Sequence, residues 1–454
     1  MTRPIAPLLW LLFLATGLLV IPSGVLLWRR ATESLPSDEL DTMRVVLQQI
    51  EREYVEDTDP HRLMRAAIAG MVDSLDNFSE FVTEDEVADF EGRELEGTYQ
   101  GIGVVIAPGI TPVTVQCPIA GGPAERAGLR VGDRILGVGE VDLTGLDARQ
   151  AVERAEKELR GPADTKIVLR IERDDQPTFL VEVERSQVPE QKVKWVRLLD
   201  AKERIGYVYL AGFQRGVSDE IRRAVGELCA DAGGKLGGLV LDLRDDPGGL
   251  LTEAVGVANL FLKEGEIVRL TRRGTVTETH AAQASRCVWP DLPLVLLVNG
   301  GTASASEVVT GALQDHERAK VVGTRTFGKG VVQSIFTFRN RPFRLKITTA
   351  RYVTPKGRDI DGGSMHGSPH RRDDDTRKGG LQPDVEVRVG EDVAGRLWGR
   401  RRDYDVPQGL RTEVAALAEK LGFAPAAEPS PDGDPQLARA LALLRSDVKE
   451  TSGR

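Results

Sequence analysis

Leu294-Val295-Leu296-Leu297-Val298-Asn299-Gly300-Gly301-Thr302-Ala303-Ser304-Ala305-Ser306-Glu307 reads as a buried strand, a glycine turn and the start of a helix running to about Gln314. Five aliphatic residues in a row suit a strand covered on both faces. Upstream, Leu239-Val240-Leu241-Asp242-Leu243 passes through Asp246-Pro247-Gly248-Gly249 into a helix that reaches Leu262. Two such units predict a layered α/β domain with parallel strands. If both strands lie parallel in one sheet, both glycine loops sit at its carboxyl edge, where ligands bind in such folds.

This α/β pattern extends over residues 187–390. Before it, from Gly97 to about Arg185, short Val- and Ile-rich runs (Gly103 to Ile106, Val113 to Gln116, Ile167 to Ile171, Leu180 to Val183) alternate with Gly and Pro turns around one helix near Ala148 to Arg160. They predict a compact β-rich module over 97–186. Residues 38–96 read as a small helical domain, with Met43, Val46, Leu47 and Ile50 at spacings of three and four. It would serve as a spacer or a dimerisation element. Ile5 to Trp28 is 24 residues without a charge, long enough at about 1.5 Å per residue to span a core of roughly 30 Å. We read 5–28 as an uncleaved transmembrane anchor; a cleaved signal peptide is the rival. Arg29 and Arg30 follow the segment, so the charge bias does not place the rest of the chain outside. Residues 391–454 read as a charged, helix-prone tail, broken at Pro429 to Pro435, with no legible chemistry.

The chain has 454 residues, 41% hydrophobic and 28% charged, and a formal net charge of −9. That balance is globular, and it argues against nucleic acid as a partner. Cys117, Cys229 and Cys287 are odd in number and far apart, so neither a disulfide framework nor a metal site is expected. His366 and His370, in a loop between Gly362 and Gly380, have i, i+4 spacing, but Gly367 and Pro369 oppose the helix that would align them.

Ser304 stands where a strand ends in glycines and a helix opens, beside unpaired backbone N–H groups and the positive end of a helix dipole. That setting suits a nucleophile whose reaction develops negative charge. Ser304 with Glu307 is also a capping box, a structural device. A serine needs a base. The five histidines offer only His316 nearby, next to Asp315. Lys329, between Gly328 and Gly330 and close to Phe327, Val331 and Val332, is a better candidate, because burial would lower its pKa. Gln333, four residues on, shares its face and could orient the amine. Gly328-Lys329-Gly330 lacks the spacing of a phosphate loop.

Taken together these segments resemble the carboxyl-terminal processing peptidases, or tail-specific proteases, from about Met43 to Leu444. The resemblance rests on Gly70-Met71, Ser74-Leu75-Asp76, Gly101-Ile102-Gly103-Val104, Leu243-Arg244-Asp245-Asp246-Pro247-Gly248-Gly249, Ala303 to Glu307, Ala312-Leu313-Gln314-Asp315, Thr326 to Gly330 with Gln333, and Ala350-Arg351-Tyr352 with Thr354-Pro355. It implies a serine endopeptidase on a crotonase/ClpP-like α/β domain. Ser304 would be the nucleophile, Lys329 the general base, Gln333 its partner and Asp315 a supporting residue. The oxyanion donors would be the N–H of Ala305 and one from Gly248 or Gly249. Asp245-Asp246 stands where Asn is frequent in the family. No metal or organic cofactor is implied.

Tyr99 to Val104 is similar to a PDZ carboxylate-binding loop, and Pro123 to Leu136 to the second PDZ signature. Gly101, Ile102, Gly103 and Val104 would hold a terminal carboxylate on successive N–H groups while the peptide adds a strand. The expected partners are proteins with exposed C-terminal tails, the membrane through 5–28, and a second copy if the chain is a homo-oligomer. The resemblance favours an extracytoplasmic catalytic part. The alternatives are a non-catalytic PDZ scaffold and another acyl-transfer enzyme.

Overall fold

The computed structural model describes residues 37–174, 176–362, 379–402, 404–423 and 428–452. The expected anchor 5–28 and the His366–His370 loop lie outside them. Among the described residues no helix is long and apolar enough to cross a membrane.

The chain divides into two units, Met1–Met71 and Val72–Arg454. The first contains α1 (Ser37–Glu53) and most of α2 (Pro60–Asp73). Pro60 opens α2 at a position whose N–H needs no intrahelical partner. Just before it, the Asp59 carboxylate accepts the N–H of His61 at 2.9 Å.

The second unit starts with β1 (Glu80–Val82) and α3 (Val87–Glu91), which runs into a π turn ended by Gly97 at φ 65°. The β-rich module follows as β2 (Thr98–Gly101), β3 (Val104–Ile106), β4 (Val113–Pro118), α4 (Pro123–Arg126), β5 (Arg134–Val138), β6 (Val141–Asp142), α5 (Ala148–Leu159), β7 (Lys166–Glu172), β8 (Phe179–Glu184) and β9 (Ser186–Pro189). Its main sheet runs β3-β4-β5-β7-β8. Ala151, Ala155 and Leu159, one face of α5, close a core with Val113, Val115, Ile135, Leu169 and Ile171. β2 pairs with β9, so the module ends at Pro189 rather than at 186.

The α/β domain continues with β10 (Val193–Asp200), β11 (Ile205–Leu210), α6 (Val217–Asp231), β12 (Gly238–Asp242), α7 (Leu251–Phe261), β13 (Glu266–Arg272), β14 (Thr275–Ala281), β15 (Leu294–Val298), α8 (Ala305–Asp315), β16 (Lys320–Gly323), β17 (Val331–Phe338), β18 (Arg341–Val353) and β19 (Val385–Glu386), followed by α9 (Glu391–Arg402), α10 (Arg411–Leu421) and α11 (Pro435–Ser452). Its sheet is ordered β10-β11-β12-β15-β16-β19, parallel from β11 to β19 as the two units predict. The period of two separates its faces. Leu239, Leu241, Leu294, Leu296 and Val298 pack with α6, α7 and α8, while Val240, Val295 and Leu297 face the other way. A second sheet, β1-β18-β13-β14 with β17 on β18, adds Ile267, Val268, Leu270 and Tyr352 to the core that holds α7 and α8.

Two further expectations differ from the structure. β1 pairs antiparallel with β18, so part of the segment expected to be a helical domain through residue 96 belongs to the α/β domain's second sheet. The 391–454 tail is no appendage either. Leu437, Ala440, Leu441 and Leu444 of α11 pack with Tyr207, Val240, Val295 and Leu297, giving the main sheet its second apolar cover. Val406, before α10, and Val414, within it, pack against Cys117 of the β-rich module. The helix-prone composition of 391–454 pointed to helices, but not to the surfaces they cover.

Candidate active site

β12 and β15 are parallel neighbours, with Leu239 to Asp242 in register with Leu294 to Leu297, so their two glycine loops leave the sheet side by side. The loops are tied together. Asn299 accepts the N–H of Asp245 at 2.9 Å, Thr302 donates its hydroxyl to the Leu243 carbonyl at 2.8 Å, and Ala303 N–H reaches the Asp246 carbonyl at 2.9 Å. Ser304, only 6% exposed, caps α8 with φ 57° and ψ −116°, a strained conformation for a non-glycine residue and one that recurs at functional sites. Gly248 is what lets the loops close. A Cβ there would lie 2.9 Å from Ser304 Cβ, 2.8 Å from Ala305 N and 2.7 Å from the Ala303 carbonyl.

Ala305 is the first helical residue, where the N–H has no intrahelical acceptor. Gly248 gives its N–H to Asp246 Oδ1 at 2.8 Å. Gly249 bridges to Phe213 through Phe213 N–H to the Gly248 carbonyl and Leu250 N–H to the Phe213 carbonyl, bonds that do not use its own N–H. Of the two glycine donors expected, Gly248 is therefore occupied.

Glu307 is the hub. Its buried carboxylate accepts four donors: Ser304 N–H and Lys329 N–H on Oε2, each at 2.9 Å, and Thr326 Oγ1 at 2.5 Å and Gly328 N–H at 2.7 Å on Oε1. One oxygen thus receives the N–H of both sequence-nominated residues, and their nitrogens lie at most twice 2.9 Å apart. Burial pushes the Glu307 carboxyl up to about 7, against the hydrogen bonds that favour its charge.

The side chains of the pair point to separate partners. Lys329 Nζ sits 4.4 Å from the centroid of the Phe78 ring, and among the described residues no hydrogen bond joins it to Ser304 Oγ. Burial, helped by the nearby Lys346 ammonium, lowers the Lys329 amine to about 8, with Glu94, Glu307 and Asp76 pulling it back. The Ser304 hydroxyl interacts with the phenol of Tyr352, which burial pushes up to about 12. Gln333, on β17, donates Nε2 to Thr348 Oγ1 at 3.1 Å rather than to Lys329. Asp315 accepts Lys356 N–H at 2.8 Å and pairs with Arg358 at 2.5 Å, so it fastens the turn after β18. His316 closes α8 about 18 Å along the axis from Ser304. Its Nε2 meets the Glu266 carbonyl at 2.7 Å, which rules out a Ser304–His316 pair in this arrangement.

In the β-rich module Gly101 ends β2, Ile102 is buried, Gly103 has φ 73° and Val104 opens β3. Among the described residues β3 pairs only with β4, leaving an open sheet edge of the kind that accepts an added strand. Beside it is a groove lined by Ile102, Val104, Ile106, Leu159 and Arg160, with Tyr404 of the tail contributing one wall. Arg160 stacks 5.1 Å above Tyr99.

Three residues went unrecognised in the sequence. Glu307 was legible only as a cap, Tyr352 only as part of a motif, and Tyr404 carried no local signal.

A family model described as "Peptidase family S41" matches residues 204–387, and a PDZ-domain model matches 114–173. A probable CtpA-like serine protease of Staphylococcus aureus is 34% identical over 352 residues, covering 77% of this chain and 64% of the relative. Its counterpart in Staphylococcus saprophyticus is 34% identical over 341 residues, covering 75% of this chain and 67% of the relative. The chain thus spans just under two thirds of the first relative's length. A solved photosystem II D1 C-terminal processing protease matches with 30% identity and a TM-score of 0.41, over 76% of this chain and 86% of that one. With an S41 match over the α/β domain, a PDZ match over the β-rich module and relatives that extend across both, the chain belongs to the carboxyl-terminal processing peptidases of family S41.

Proposed function

We propose that this chain is a serine endopeptidase that cleaves near protein C-termini or within unfolded chains. The observation that carries this reading is Glu307 Oε2 receiving the N–H groups of both Ser304 and Lys329. Lys329 Nζ would turn from Phe78 toward Ser304. As a neutral amine it takes the Ser304 Oγ proton while Oγ bonds to the scissile carbonyl carbon. Ala305 N–H and Gly249 N–H hold the resulting oxyanion. The C–N bond then breaks, the leaving amine receives the proton from Lys329, and an acyl-serine remains. Water attacks that ester and gives its proton to Lys329, which returns it to Ser304.

The open edge of β3, with Gly101 to Val104 at its start, would hold the substrate's tail as an added strand. We also propose that 5–28 anchors the chain in a membrane with the catalytic part outside the cytoplasm, and that the chain associates with copies of itself.

The test uses the full chain in detergent with a denatured protein as substrate, beside Ser304→Ala and Lys329→Ala. Wild type should digest it and both variants should not. Equal digestion by all three would end the peptidase reading and leave the PDZ scaffold.

A further inference from the structure

Asp246 is fully buried at the start of the loop that faces the nucleophile. Its Oδ1 accepts Gly248 N–H at 2.8 Å, and its Oδ2 has no hydrogen-bond partner among the described residues. Its own carbonyl accepts Ala303 N–H at 2.9 Å and the Ser306 hydroxyl at 3.1 Å. One residue therefore grips both sides of the site: the turn carrying Gly248 and Gly249, and the residues flanking Ser304. Gly248, which it holds, is the residue packed against Ser304 Cβ and Ala305 N.

A carboxylate here would be a buried charge with one oxygen unsatisfied, a state that folded chains avoid. Among the described residues no cation pairs with it. Lys192 acts on it at longer range, and its Nζ is already paired with Glu190 at 2.6 Å. Tyr209 presents a buried phenol, the hydroxyl of Ser306 is neutral, and the adjoining Asp245 is committed to Arg401 and Asn299. Burial accordingly pushes the Asp246 carboxyl up to about 8, against the Gly248 hydrogen bond, the nearby Ser306 hydroxyl and Lys192.

We propose that Asp246 is a positioning residue that works as a neutral carboxylic acid. Protonated on Oδ2, it holds the Gly248–Gly249 turn against Ser304. Ionised, it puts a negative charge beside the place where the oxyanion forms, and turnover stops. Asp246 thereby supplies the alkaline limit of activity, whereas Lys329 sets the acid limit. The proposal rests on the peptidase reading for its consequence, but not for the protonation state itself.

Asp246→Asn tests it in the full chain, because the amide keeps the Oδ1 acceptor and has no proton to lose. Wild-type kcat/KM should fall with unit slope at alkaline pH, and the Asn variant should lack that fall. One pH unit above the carboxyl's pKa, the alkaline loss is about tenfold in wild type and absent in the variant. Asp246→Ala, which removes the acceptor as well, should lose turnover at every pH, and Asn should restore it. An unchanged alkaline limb in Asp246→Asn overturns the proposal.

A second readout does not depend on turnover. A carboxyl raised in the folded state favours folding fully only below its unfolded pKa, and that contribution is lost as pH rises to the folded value. The melting-temperature difference between Asp246→Asn and wild type should widen from about pH 4 to about pH 8 and then level off. A difference that is constant with pH overturns the proposal. If Ser304→Ala retains activity, the peptidase reading fails while the melting comparison still decides the state of Asp246.

Discussion

Lys329 shows how a residue that looks ordinary in sequence acquires chemistry from its surroundings. Half-buried over Phe78 and close to Lys346, its amine sits near 8, within reach of neutral solutions. A base must be neutral to accept a proton, so activity should disappear as pH falls below that value and rise through it. Lys329→Arg keeps the charge but has no accessible neutral form, and should lose about 10²–10⁴-fold in kcat. Lys346 holds the amine down by like-charge repulsion, so Lys346→Met should move the acid limb to higher pH in a kcat/KM profile. Glu307→Gln would turn an amide N–H₂ or a single oxygen toward four donors. Each buried donor left unsatisfied costs about 1–3 kcal/mol. The expected result is a lower melting temperature and about a 10²-fold loss of kcat from misplacement of the Ser304 and Lys329 loops.

Among the elements, the decisive one is the turn between β12 and α7. Gly248 has φ 94°, and a Cβ there would strike Ser304 Cβ, Ala303 O and Ala305 N. Gly248→Ala should therefore cost about 1–3 kcal/mol in urea unfolding. It should also lose turnover out of proportion to that loss, because strain falls on Ser304, the proposed nucleophile. The groove beside β3 takes one wall from Tyr404, more than 200 residues beyond the PDZ module. Tyr404→Ala should weaken binding of an apolar tail peptide to the Ser304→Ala chain about fivefold to tenfold. Titration with the peptide measures it.

Across the molecule, the tail is pinned into the site. Arg244, just after β12 and 2% exposed, pairs with Asp242 at 2.6 Å and with Asp434 at 2.9 Å, and also reaches Gln436 at 3.0 Å. Asp434 lies immediately before α11, so the helix covering the main sheet is fixed to the strand that leads into the Gly248 turn. Removing one member of a buried charge cluster strands the others, and Asp434→Ala should cost about 3–5 kcal/mol in chemical denaturation. Asp245–Arg401 adds a second tie from α9 to the same loop.

The parallel βα units, the edge at which their loops meet, the PDZ module and the candidates Ser304 and Lys329 were legible from the residues alone, because strand and helix periods and glycine turns are local signals. Leu239 to Leu243 and Leu294 to Val298 declared two-sided burial by their composition alone. Packing in three dimensions alone shows that Glu307 joins Ser304 to Lys329, that Gly248 N–H is taken by Asp246, that Gln333 turns to Thr348, and that α11 rather than solvent covers Val240 and Val295. Each of these joins elements brought together by sheet register and core closure, and burial is what gives Lys329, Glu307 and Asp246 their altered proton affinities. A stretch of sequence has periodicity but no solvent boundary, and that boundary exists only once the chain has closed around it.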